Sequence, residues 1–120
     1  FCNKEILLEE GIDDLVVLLN NEGIRTISSC EGHNGGFDEE KRSFPYVVFL
    51  NTTENYKKAE DIIDEYNDLL KEKEWKIKIE RTTRGIEAFI VPVSYWEETK
   101  KLQKKALSFA KRMTIIRKSS

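Results

Sequence analysis

Before residue 71, helical spacing of apolar residues occurs in two separate parts of the chain. The first is the segment GIDDLVVLLNNEG, where apolar residues recur every three or four positions. Two acids, Asp13 and Asp14, fall in its first turn, and Gly23 stands where a helix would end. The second part runs from Tyr56 to Leu70, with its apolar positions opposite a face of lysine, glutamate and aspartate. The pattern predicts an amphipathic helix in each place.

Four segments have the alternation or the β-branched and aromatic composition that is typical of β-strands. The first two are IRTISS and FPYVVFL, and residues 30–43 separate them. The other two lie in KEWKIKIERTTRGIEAFIVPV, which alternates, turns at TTRG and returns as a second run that ends at Pro92. These patterns predict two strands joined by a long polar loop, followed by a β-hairpin.

A third helix is predicted near the end of the sequence. Ser94 and Glu97 fit a capping box, in which the serine oxygen accepts an amide proton and the glutamate reaches back to the serine amide. Apolar residues then recur at steps of four and three through residues 96–116: Leu102, Ala106, Phe109, Met113 and Ile116. This spacing favours packing in the core, with a seam against a second chain as the alternative.

The order of elements predicts the fold class. Helix, strand, strand, helix, strand, strand and helix follow one another with short or moderate connections, apart from the loop at residues 30–43. Such an order favours an α+β two-layer sandwich, in which a four-stranded, mostly antiparallel sheet is covered by helices. At 120 residues the chain is expected to form a single domain, residues 1–120.

Composition and charge indicate the class of protein and the compartment in which we expect it. Charged residues make up 35% of the sequence and hydrophobic residues 39%, which is polar but sufficient for a core. Residues 100–118 contain eight lysines and arginines and no acid, a pattern that we interpret as a solvated helix face. No apolar run approaches the ~20 residues of a membrane span, and the charged start does not fit a signal peptide. We therefore expect a soluble cytoplasmic protein with no membrane contact, in which Cys2 and Cys30 are reduced.

Residues 30–43 are the strongest candidate for a ligand site. A β-hairpin needs only two to five connecting residues, so the greater length of this loop favours a functional role. The stretch SSCEGHNGG ends a strand in small residues and opens into glycines, whose amides can approach a phosphate closely. We expect His33, Arg42 and loop amides to donate to an anion and Phe37 or Tyr46 to stack on a base. The predicted ligand-binding residues are Ser28, Ser29, Cys30, Glu31, Gly32, His33, Phe37, Arg42 and Tyr46.

The sequence gives less support for thiol catalysis or metal binding by this loop. Cys30 and His33 could form an activated thiolate, but their spacing alone shows neither an oxyanion site nor a group that orients the histidine. Asp38 and Glu39 add oxygen ligands, yet no second Cys-x-x-Cys or histidine pair completes a zinc set, so no metal site is predicted. Cys30 taken alone is more simply a small buried residue at the end of a strand.

The segment LVVLLNNEGIRTISSCEGH resembles the signature of the wyosine-pathway tRNA methyltransferase family. The resemblance rests on Leu18, Leu19, Asn20, Thr26, Ser28, Ser29, Cys30 and Gly32. It implies S-adenosylmethionine-dependent methylation of a tricyclic base beside the anticodon of phenylalanine tRNA, with Ser28, Ser29, Cys30 and Gly32 lining the site. The same loop, followed by Pro45 and Tyr46, is also similar to small uncharacterised proteins of bacteria and their phages, for which no activity is implied.

Three functional hypotheses follow from the sequence. The first is a small protein that binds a nucleotide-like or phosphate-bearing metabolite through residues 30–43, as a phage protein would to sequester a signalling nucleotide. The second is the methyltransferase, with S-adenosylmethionine as cofactor and tRNA as partner. The third is a protein interaction module, in which helix 96–116 offers its apolar face to another chain or to a second copy.

Overall fold

The computed structural model describes residues 12–30 and 44–118, which form three helices and one sheet. In chain order the elements are α1 (Ile12–Asn21), β1 (Thr26–Cys30), β2 (Tyr46–Phe49), α2 (Thr53–Leu70), β3 (Trp75–Thr82), β4 (Gly85–Pro92) and α3 (Thr99–Lys118). The sheet has the strand order β1-β2-β4-β3, and every neighbouring pair is antiparallel. The predicted α+β fold and element order are confirmed.

Local hydrogen bonds explain where α1 ends and where α2 begins. After α1, the Ile24 amide donates to the Leu19 carbonyl at 2.9 Å and the Gly23 amide to the Asn20 carbonyl at 3.0 Å, with Gly23 at φ +85°. This Schellman arrangement needs a left-handed residue, and glycine supplies it without steric cost. At the start of α2, the Thr52 hydroxyl accepts the Asn55 amide at 3.1 Å. Both helices therefore have ends encoded by adjacent residues.

The third helix begins later than predicted. It starts at Thr99, whereas Ser94 and Glu97 lie in a turn closed by a 3.1 Å hydrogen bond from the Glu97 amide to the Ser94 carbonyl. Instead of capping the helix, the Glu97 carboxylate accepts from Lys105 at 2.7 Å. The charged ammonium of Lys105 is a stronger donor to this carboxylate than a backbone amide, so the expected capping box does not form.

The inner face of the sheet packs against all three helices. Val47 and Phe49 of β2 face this core, together with Ala88 and Ile90 of β4. At its centre the ring of Phe109 lies 4.6 Å from that of Tyr66, nearly parallel, and 5.5 Å from that of Trp75. The interaction module predicted a free apolar face on helix 96–116, and this is wrong for most of that face: Leu102, Phe109 and Met113 are fully buried in the chain's own core.

The outer face of the sheet carries a second, smaller cluster. Successive residues of a strand point to opposite faces, so Val48 lies on the side away from Val47 and Phe49. Val48 packs with Phe89 and Val91 of β4, and all three are buried. Two half-buried aromatic residues, Phe44 and Tyr46, pack against them.

Asn67 of α2 fixes the start of β3, one of the two edge strands of the sheet. Its side-chain amide donates to the Trp75 carbonyl at 3.0 Å, and its oxygen accepts the amides of Glu74 at 3.0 Å and Trp75 at 3.2 Å. The side chain thus replaces strand partners that an edge lacks.

Within residues 12–30 and 44–118, no helix is long and apolar enough to cross a membrane.

Candidate functional site

The structure places four of the predicted ligand-binding residues. Ser28 pairs with Val48 and Cys30 with Tyr46, so these residues lie on the outer face of the sheet. Ser29 pairs with Val47 and lies on the inner face, under the helices. The remaining predicted residues lie outside the described ranges: Glu31, Gly32, His33, Phe37 and Arg42.

Cys30 is a buried, disulfide-bonded residue. The expectation that it is a reduced thiol is therefore wrong, and a bonded sulfur is not available as the nucleophile that a Cys30–His33 pair would need. The other cysteine of the sequence is Cys2, which is outside the described part of the chain. At this position, sequence reasoning favoured the reduced state on compartment statistics alone.

A row of aromatic rings crosses the outer face and continues into the turn after β4. Ring centroids are 5.7 Å apart between Phe89 and Tyr46, 6.3 Å between Tyr46 and Phe44, and 6.0 Å between Phe44 and Tyr95. Trp96 ends the row, 5.3 Å from Tyr95 and at 76° to it. Tyr95 is 53% exposed and Trp96 is 71% exposed, so the row runs from the buried cluster out to solvent.

Beside this row lies a cleft of about 370 Å³ with two lysines in its wall. Its lining, which we call the aromatic–lysine cleft, consists of Phe44, Lys76, Lys78, Val91, Pro92 and Tyr95. Lys76 pairs with Val91 and Lys78 with Phe89 across the β3–β4 ladder, which puts both ammonium groups on the outer face. The Lys78 ammonium lies 2.9 Å from the Glu80 carboxylate, while Lys76 has no ion pair among the described residues.

Ion pairs with α3 hold the turn that carries Tyr95 and Trp96. Glu97 binds Lys105 at 2.7 Å and Lys101 at 3.4 Å, and Lys105 also lies 3.8 Å from the Glu74 carboxylate. The hydrogen bond from Lys105 lowers the pKa of the Glu97 carboxyl and raises that of the Lys105 ammonium. Burial raises the pKa of Glu74, although Lys105 acts in the opposite direction.

A main-chain bond completes the anchorage. The Val93 amide donates to the Glu74 carbonyl at 2.9 Å, which extends the β3–β4 pairing to the start of the turn. The exposed rings are therefore carried on a turn with fixed ends.

Sequence reasoning missed most of this cleft. It named neither Lys76 nor Lys78 as a site residue, and its capping box placed Tyr95 and Trp96 in the first turn of a helix. The available signal was the joint occurrence of the edge-strand pattern KIKI and the aromatic pair after Pro92. Only the β3–β4 register brings these two signals to the same end of the sheet.

Two further observations bear on the chemistry. No group of three or more histidine, cysteine, aspartate or glutamate side chains that could hold a metal ion occurs in the part of the chain that the structure describes. Comparison with protein-family models, with curated proteins and with solved structures found no match.

Proposed function

We propose that the protein binds a nucleotide-like, phosphate-bearing metabolite in the aromatic–lysine cleft. The observation that carries this proposal is the exposed pair Tyr95 and Trp96 beside the two lysines of β3. The aromatic rings suit a base, and the ammonium groups suit phosphate. A site with both features, sunk into one face of a sheet, is of a size that holds a small ligand.

The expected stacking energy and the preformed turn favour a moderate affinity for such a ligand. Stacking of a base on an aromatic side chain contributes roughly 1–3 kcal/mol. Tyr95 and Trp96 meet at 76°, so a base lying flat on one ring presents its edge to the other. The turn is anchored by Glu97 and Lys105 before any ligand arrives, which reduces the ordering cost of binding.

The loop of the sequence-based hypothesis belongs to the same proposal. Residue 43 precedes Phe44, a lining residue of the cleft, and Tyr46 is part of the aromatic row. His33, Phe37 and Arg42 remain proposed as additional contacts. In this proposal the protein binds without turnover and withholds a signalling nucleotide. The methyltransferase suggested by resemblance, with S-adenosylmethionine and tRNA, remains a separate proposal for the same test.

A cytoplasmic location stays a prediction, and the disulfide at Cys30 argues against it. Disulfides persist mainly in oxidising compartments. Alkylation of thiols in intact cells before lysis will decide: modification of Cys30 would support the cytoplasmic location and contradict the disulfide.

Tryptophan fluorescence gives a direct test of the cleft. Trp75 is fully buried on the inner face and Trp96 is exposed, so a ligand in the cleft should quench Trp96 alone. We expect saturable quenching by nucleotides, with inner-filter correction, and a matching rise in melting temperature. Trp96→Phe should abolish the quenching but retain the thermal shift, and Lys76→Gln should weaken both. Lys111→Gln, on the exposed side of α3, is the matched control.

The same assay with a panel of nucleotides and S-adenosylmethionine separates the binding protein from the methyltransferase. Quenching by nucleotides supports the binding protein, whereas quenching by S-adenosylmethionine alone would support the methyltransferase. If no nucleotide changes either the fluorescence or the melting temperature, the proposed function is wrong.

A further inference from the structure

The two lysines of the aromatic–lysine cleft stand at separate positions along β3. Lys76 and Lys78 are two residues apart on one face of a strand, which places their Cα atoms roughly 6.6 Å apart. The carboxylate of Glu80 lies 2.9 Å from the Lys78 ammonium. Because Glu80 follows Lys78 on the same face, this ion pair favours a Lys78 side chain that extends along the strand away from Lys76. One phosphate group is thus poorly placed to use both lysines.

The order of groups along the edge strand is also fixed. Trp75 pairs with Pro92, and the Val93 amide bonds to Glu74, so the turn with Tyr95 and Trp96 lies beyond the N-terminal end of β3. Counted from this turn, the aromatic rings come first, Lys76 second and Lys78 third. Glu80 ends the row with a negative charge.

We propose that the ligand is a nucleotide with two linked phosphates, whose base lies on Tyr95 and Trp96, first phosphate on Lys76 and second phosphate on Lys78. This inference rests on the proposed function and specifies its ligand class. The Lys78 ammonium has three donors and can bind Glu80 and a phosphate at once. A third phosphate would meet the Glu80 carboxylate, so a triphosphate gains nothing over a diphosphate.

The experiment compares a nucleoside with its mono-, di- and triphosphates in magnesium-free buffer, with Trp96 fluorescence as the readout. For the unmodified protein we expect roughly tenfold tighter binding for each of the first two phosphates, because each adds hydrogen bonds between charged groups. The third phosphate should add none. Lys78→Gln should make the diphosphate bind like the monophosphate and leave the monophosphate unchanged, whereas Lys76→Gln should weaken both. Glu80→Gln should make the triphosphate bind more tightly than the diphosphate.

Control variants separate this inference from the proposed function. All three substituted residues are on the outer face, and each variant should keep the circular dichroism spectrum and the melting temperature of the free protein to within a few degrees. Equal affinity for mono- and diphosphate, or an equal loss of both in Lys78→Gln, would overturn the two-phosphate inference while nucleotide binding stands. Absence of quenching by every compound would remove the proposed function itself.

Discussion

The two faces of the sheet use the same strands for different purposes. On the inner face, Val47, Phe49 and Ile90 pack under three helices, and the side chains are apolar and buried. On the outer face, the alternate residues form a small aromatic cluster that opens at the edge strand into lysines and exposed rings. Because successive strand residues point to opposite sides, either face can change its chemistry without disturbing the other. The inner face therefore carries most of the hydrophobic core, and the exposed edge of the outer face is free to carry a binding site.

The largest test of this division is a pair of aromatic truncations. Phe109→Ala removes a fully buried ring in contact with Tyr66 and Trp75 and should lower the free energy of unfolding by about 3–5 kcal/mol. Tyr95→Ala removes an exposed ring and should change it by no more than about 0.5 kcal/mol. Urea denaturation measures both. Comparable losses from the two variants would mean that the outer face also supports the fold.

The accuracy of the sequence-based predictions follows the same division. Element order, α1 with its stop at Gly23, and the β3–β4 hairpin were predictable because periodicity and local turn chemistry encode them. The start of α3 was not predictable from local sequence. The Glu97 carboxylate accepts a hydrogen bond from Lys105, eight residues later in the chain, and not from the amide of the nearby serine. The aromatic–lysine cleft depends on register between β3 and β4, a non-local property that neither segment reveals alone.

A medium-sized effect is expected where the inner layer meets the edge strand. Asn67→Ala removes three hydrogen bonds to Glu74 and Trp75 and should cost about 1–3 kcal/mol of stability. Hydrogen exchange of the Trp75 amide should accelerate more than that of Ile90 in the central strand β4. Asn51→Ala, at an exposed position before α2, is the control and should change neither. An unchanged exchange rate at Trp75 would show that the β3–β4 ladder alone fixes the edge strand.

The smallest effect concerns the ion pairs that anchor the aromatic turn, and its sign depends on the residue. The folded protein lowers the pKa of Glu97, so the unfolded chain binds more protons below the ordinary glutamate pKa of 4.5. Stability from Glu97 is therefore present above pH 4.5 and lost as the pH falls through the lowered value. Glu74 affects stability in the opposite direction. Burial raises its pKa, so the folded state binds more protons than the unfolded chain above pH 4.5. The stability that Glu74 contributes therefore declines as the pH rises from 4.5 through the raised pKa.

Two isosteric variants should separate these contributions. Glu97→Gln should flatten the loss of stability on acidification below pH 4.5, and Glu74→Gln should remove the decline above it. Urea denaturation in steps across the acid range measures both slopes, and Trp96 fluorescence of the folded protein reports whether the turn moves. Since Glu97 holds the turn on the outer face, we expect its protonation to alter Trp96 while the buried Trp75 keeps its environment. If both variants changed the same part of the pH profile, the network would titrate as one unit, and Glu97 would not anchor the cleft independently of the half-buried Glu74.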